Sequence, residues 1–437
     1  MSRFSRILLQ LILVVMTMQP YNGSALTGLG ISLLIFIDKV VAKYFKYQGW
    51  VFPSSLAGMV LIFASLCVVD KVSPQFAKNL SDNLSPAVAF IKAWLPLFFV
   101  PPLVVLPLKM HLLNGVGVQL SAVIILGAFL SISLTGLFAQ LVDTLFPQIK
   151  DREPPALISS AQLPPLPPLY IPALATAALL AASKVTSPYT AAIQSLFGFT
   201  STVTGYIAGT KLTTSAKKIA HPVLTCAALS VILISLFGLV NGIAPTDCLK
   251  LYFGSGSMRG PGDIISSMLG PAILSFGIQL FQYRVMLLKN ILRVITTTVF
   301  SAGFGLTSSA LLAKLFRLSP AQTALTLLTR CITTPLALAG AVLTGADPSL
   351  SAFVVVVTGI LGASLGESLL ESIGIEEPVS VGLAIGAGAH GLGTAAMAHD
   401  PVKFASAVVS MTLSGLWTVA FLSSTQIREK LIRMTLL

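Results

Sequence analysis

The sequence predicts an all-α polytopic membrane protein, and three observations predict it. Only 10% of the 437 residues are Asp, Glu, Lys or Arg, while 55% are apolar; a typical soluble chain carries about 25% charged residues. Mean hydropathy is +0.89, too high for a disordered chain or a water-clothed surface. Charge-free runs recur at Val51 to Val69, Val116 to Leu141, Val185 to Thr210, Pro222 to Val240, Ile264 to Tyr283, Ile295 to Ala313 and Phe404 to Ile427. Each approaches the roughly 20 residues a helix needs to cross hydrocarbon. A barrel would need alternating segments of about 10 residues instead, and helices satisfy their own backbone in lipid.

The elements follow in order. Residues 1–25 form a leader: Met1 to Arg6 is basic, Ile7 to Met18 is apolar, and Gly23-Ser24-Ala25 offers a small-residue cleavage site, as in a signal or transit-like segment. A first block over 26–141 holds spans near 26–41, 51–69, 88–108 and 116–141. Pro96, Pro101, Pro102 and Pro107 predict a kink or break in the third. Residues 142–168 are a linker, charged at Asp143, Lys150, Asp151, Arg152 and Glu153 and then proline-rich from Pro154 to Pro168. A second block over 169–425 holds spans near 169–182, 191–209, 222–240, 263–282, 289–312, 322–343, 351–370, 379–398 and 404–425, and 426–437 is a basic tail. The total is about 12–13 transmembrane helices. Taken in fours from 191, each quartet has a broken third member, at Met268 to Ile273 and at Ala389 to Ala395, an arrangement expected of transporter repeats. Lys and Arg fall almost evenly on alternate loops, so they set no orientation.

A net charge of +12 invites a nucleic-acid reading, but that chemistry needs clustered basic patches. The densest site is Lys211, Lys217 and Lys218, so no nucleic acid is expected, and basic loops at an anionic lipid surface are. Cys67, Cys226, Cys248 and Cys331 show no CxxC or zinc spacing, which predicts neither metal site nor disulfide framework.

Polar groups at lipid depth are functional candidates by default. Arg330 stands alone between uncharged stretches and precedes Cys331-Ile-Thr-Thr-Pro335. Pro335 should open the helix beside Thr333 and Thr334, and a guanidinium offers a carboxylate two parallel hydrogen bonds. A side chain snorkelling to the interface is the competing reading. His390 lies among Gly386, Gly388, Gly391 and Gly393, which would loosen a helix; a half-helix starting at Gly391, Gly393 and Thr394 would aim N–H groups at an anion, and His390 could carry a coupling proton. Close helix packing by the glycines competes. Asp263, after Gly260-Pro-Gly262, reads as a helix cap or a second proton-coupling group. Glu367, Glu371, Glu376 and Glu377 read as an exposed helix end, and His111, His221 and His399 carry no ligand spacing. The Gly386 to Gly391 string fits G-x-G-x-x-G but lacks the strand context and later acid of a dinucleotide site. Without a phosphate loop, an H-E-x-x-H or a nucleophile elbow, no enzyme activity and no cofactor are expected.

Several segments carry a family resemblance. Trp94 to Leu108, with Pro53 to Met59 before it, resembles the LrgA/CidA family. His221-Pro-Val-Leu, Leu269-Gly-Pro-Ala, Arg330 to Pro335, Val356 to Ala363 and Ala389 to Ala396 resemble LrgB/CidB. The fusion in this order is similar to the plastidal glycolate/glycerate translocator family. That resemblance implies a multi-pass carrier of small 2-hydroxycarboxylates in the plastid inner envelope, with glycolate and glycerate as substrates in photorespiration. A bacterial-type inner membrane, a pyruvate or lactate-type carrier and a holin-like permeability regulator are the alternatives it leaves open. Partners are then the small carboxylate, the bilayer and a second copy of the chain as a homo-oligomer. The substrate-binding residues expected from the physical reading are Arg330, Thr333, Thr334, His390, Gly391, Gly393 and Thr394, with His390 and Asp263 as proton-coupling candidates.

Overall fold

Proline and an acid together set where several helices begin. In the computed structural model, which describes residues 23–50, 53–146, 166–182, 190–213, 216, 221–254 and 259–436, α16 (Pro348–Ser372), α17 (Pro378–Ala396) and α18 (Pro401–Ser423) each open on an acid–proline pair. Asp347, Glu377 and Asp400 accept from the free N–H groups of the first turn, and proline occupies a position whose N–H would be unused. His221 does the same for α8 (Pro222–Val240), Nδ1 accepting from Val223 N–H at 3.3 Å. Burial pushes its ring down to about 4, so it is neutral at pH 7 and free to accept.

The first block contains α1 (Gly23–Gln48), α2 (Ser54–Val72), α3 (Pro74–Phe98), the short α4 (Pro101–Val104), a 3-10 helix over Leu106–Leu113, and α5 (Gly117–Leu145). The third span starts well before residue 88: α3 runs through Lys78, Asp82 and Pro86, and breaks only after Pro96. The remaining helices are α6 (Tyr170–Ala182), α7 (Thr190–Thr210), α9 (Pro245–Lys250), α10 (Pro261–Ser266), α11 (Leu269–Gln282), α12 (Arg284–Lys289), α13 (Ile291–Leu315), α14 (Ala321–Leu325), α15 (Thr334–Thr344) and α19 (Thr425–Leu436), with 3-10 turns over Thr326–Thr329 and Met397–His399. Among the described residues there is no strand, and 10 helical stretches are long and apolar enough to cross a membrane. Three expected spans, near 169–182, 191–209 and 322–343, are helical but fall short of that length or apolarity. The leader before Gly23, the linker over 147–165, Lys217 and Lys218 lie outside the described residues. The basic tail is the helix α19, whose Leu431 packs against Leu306 and Ala310 of α13. The four cysteines are free.

Charges gather at the two ends of the bundle. At one end Arg293, 3% exposed, meets Asp143 at 3.0 Å and also Glu377 and Ser380; nearby, Arg284 pairs with Asp70 and Lys403 with Glu367. At the other, Lys109 pairs with Asp347 at 3.2 Å. Glu367 and Glu377 therefore bind cations rather than facing solvent freely. Burial alone would raise the Glu377 carboxyl, but the Arg293 charge and N–H donation from Ser380 and Val379 outweigh it and hold the group below the usual carboxylate range. A depressed folded value gives stability that is complete above the unfolded value of about 4.3 and lost as pH falls through the folded one. Melting in detergent between about pH 7 and about pH 3 should thus cost the wild type more Tm than Glu377→Gln. Equal losses in the two proteins would remove Arg293–Glu377 as a stabilising contact.

Candidate functional site

Two helical hairpins enter the bundle from opposite ends. The first comprises α14, its 3-10 extension and α15. Pro335 stands at the second position of α15 behind extended Thr333 (ψ 148°), so the chain leaves helix over Arg330–Thr333. It then turns back: a Cβ on Gly340 would meet Thr329 Cγ2 at 2.8 Å, placing α15 alongside the 3-10 turn that led in. Gly345, in the left-handed region at φ 76°, ends α15 just before Asp347, at the Lys109 end.

The second hairpin is α17. His390 interrupts it at φ 42°, ψ −134°, a conformation that costs a non-glycine residue about 1–3 kcal/mol. Gly386 lies against Ala407 on the way in, and on the way out Thr394 Oγ1 reaches the carbonyl of the same Ala407 at 3.5 Å. The chain therefore reverses at His390 and returns to the Glu367 end, where Lys403 begins the neighbouring helix. A third break separates α10 from α11 at Ser267 and Met268. The interruption expected over Ala389–Ala395 is present at His390, whereas in the first quartet the break falls at Ser267 and Met268 and Leu269 to Ile273 are helical; the hairpin at Arg330 has no counterpart in α7, which is unbroken.

Arg330 is completely buried, not snorkelling. Its Nε donates to Ser309 Oγ at 2.8 Å and its Nη2 to Ser131 and Ser308 at 2.8 and 3.2 Å. Nη1 has no partner, and no acid pairs with the guanidinium among the described residues. Gly127 leaves room for the group: a Cβ there would sit 2.8 Å from Cζ. Ser131 and Gly127 belong to α5, so the first block reaches the tip of a second-block hairpin. Hydropathy could not reveal these hydroxyls, because serine at lipid depth is cheap when it bonds the preceding turn.

The other expected residues separate into groups. Thr333 Oγ1 is buried without a partner and faces a space of about 10 Å³ beside Met59, Phe276 and Met411, about one water's worth. Thr334 is buried at the start of α15. Gly391 and Thr394 line a larger cavity of about 50 Å³ that also touches Phe276 and Met411, so the two hairpin tips face a shared pair of side chains. The His390 ring turns to α16, where it bonds the Val355 backbone and fills the space left by Gly359, with Nε2 unpartnered. Gly393 packs closely, the place of a Cβ there being taken by Ala389 and Ile385. Asp263 is a cap: its Oδ2 accepts from Gly254 at 2.7 Å and Gly260 at 2.9 Å.

Fold and site together define a helical membrane protein whose interior holds two opposed hairpin tips and a buried guanidinium with which no acid among the described residues pairs. The LrgB-like family model matches residues 202–426 and the LrgA family model residues 35–139, and the chain belongs to the LrgA/LrgB family. It is 34% identical over 424 residues to plastidal glycolate/glycerate translocator 1, chloroplastic, of Arabidopsis thaliana, covering 94% of this chain and 81% of that one. An uncharacterized protein of Bacillus subtilis, YwbG, is 30% identical over 159 residues, 36% of this chain and 70% of its own. A second from that organism, YxaC, is 29% identical over 153 residues, 35% of this chain and 66% of its own. No solved structure matches.

Proposed function

We propose that the protein is a secondary carrier of small 2-hydroxycarboxylates, exchanging glycolate and glycerate, the pair named in the Arabidopsis relative, across a plastid inner envelope. The observation that carries this reading is Arg330, a buried cation at a hairpin tip with hydroxyls for partners and Nη1 unused. A lone charge at lipid depth is expensive, and a carboxylate arriving at Nη1 would bring the missing countercharge together with a charge-assisted bond. Thr333, Thr334, Gly391 and Thr394 flank the region between the tips and supply hydroxyl and backbone donors. His390 Nε2 is the group available for proton coupling. Hairpins inserted from opposite ends suit alternating access, each screening the site from one face.

Purified protein in proteoliposomes should take up labelled glycolate in a saturable way that internal glycerate accelerates. Release of an unrelated trapped sugar, in proportion to its gradient and without saturation, would instead support the holin-like permeability reading.

A further inference from the structure

The cavity at the second hairpin tip has one charged group on its wall, and it comes from the first block. Lys92 of α3 lines this cavity together with Ser275 and Gln279 of α11 and Gly391 and Thr394 of α17. The rest of the wall is apolar, including Phe99, Phe276 and Met411. The ammonium lies 3.6 Å from the centroid of the Phe404 ring. Among the described residues it makes no ion pair and no hydrogen bond, and the Gln279 amide, 7% exposed, makes none either. Lys109, Lys250 and Lys403, by contrast, each have a carboxylate. A cation over an aromatic face is held loosely and keeps its three N–H donors for a ligand.

We propose that Lys92 binds the carboxylate of the transported solute in this cavity, with Gln279 and Thr394 meeting a hydroxyl. This rests on the carrier reading above and makes the first block part of the binding site. A space of about 50 Å³ holds a few water-sized groups, which fits an acid of two or three carbons. A single ammonium selects a monocarboxylate, because the second charge of a dicarboxylate would be left among Phe99, Phe276 and Met411 without a partner. Arg330, which is not on the wall of this cavity, and Lys92 then hold the carboxylate at two separate stations: the guanidinium offers Nη1 beside the three serines, and the ammonium offers all its donors.

The test has two readouts on the full chain. Glycolate binding to the purified protein is measured by the shift in Tm it produces, and exchange is measured in proteoliposomes, for wild type, Lys92→Gln, Lys92→Arg and Gln279→Leu. Glycolamide, the uncharged analogue, serves as competitor. Lys92→Gln should raise the half-saturating glycolate concentration at least tenfold, leave the ligand-free Tm within error, and erase the preference for glycolate over glycolamide; Lys92→Arg should keep that preference. Unchanged glycolate affinity in Lys92→Gln would overturn the assignment while leaving the carrier intact. Wild type that binds glycolate through Lys92 but does not exchange it would sink the carrier reading alone. Should Lys92→Gln fail to fold, Gln279→Leu carries the test, and unaltered affinity there overturns the cavity as the site.

Discussion

Arg330→Ala should abolish glycolate exchange, with a loss of at least about 100-fold. Hydrogen bonds to a charged group are worth about 1.5–3 kcal/mol each, and each 1.4 kcal/mol is a factor of ten. Arg330 donates to Ser131, Ser308 and Ser309 from two separate helices, so the change removes both the charge and the tie that holds the first hairpin tip against α5 and α13. Arg330→Lys should fail almost as fully despite keeping the charge, because one ammonium cannot reproduce a planar fork across both helices. Gly127→Ala probes the same point from the other side, since its methyl would meet Cζ at 2.8 Å and push the group off its serines. Exchange is scored against Tm and elution profile. A folded Arg330→Ala protein that exchanges at the wild-type rate would show that the guanidinium has no part in transport.

Gly386→Val should prevent accumulation of folded protein. Gly386 sits where α17 crosses α18, and a Cβ there would fall 2.7 Å from Ala407 Cα and closer still to its carbonyl oxygen. Backbone cannot step aside as a side chain can, so the strain lies at or beyond the upper end of the usual 1–3 kcal/mol for overpacking. Gly303→Ala in α13 is the matched control: nothing lies within 4 Å of the place its methyl group would take, and alanine in a helix interior is favoured by about 1 kcal/mol. Detergent-solubilised yield and Tm decide the matter. Normal yield and Tm for Gly386→Val would mean that the α17–α18 crossing is looser than these distances require.

How far the sequence can be read follows from which signals are local. The hairpin at Arg330 is legible because a solitary charge and Pro335 stand within six residues, and the break at His390 because glycines surround it. That the chain reverses there depends on Ala407, which meets both Gly386 and Thr394 from 13 or more positions away, and no local pattern encodes that. Lys92 carries the same signal as Arg330, a lone charge inside an expected span. The prolines that follow it point to a kinked scaffold and hide that signal, and its significance lies in Gln279 and Thr394, which only folding brings to it. Asp263 is legible as a cap from Gly260-Pro-Gly262 before it, and its Oδ2 takes the N–H groups of Gly254 and Gly260. Span counting errs at α3 because Lys78 and Asp82 look like loop residues, although a helix end can carry them past the lipid.

The opposed hairpins also change what separates the two sides of the membrane. The insulating layer between either face and the tips is built from helical arms of roughly a dozen residues or fewer, about 18 Å at 1.5 Å per residue, instead of a full crossing of about 30 Å. Two such arms entering from opposite ends are together long enough to span that crossing, and their tips share Phe276 and Met411 as neighbours.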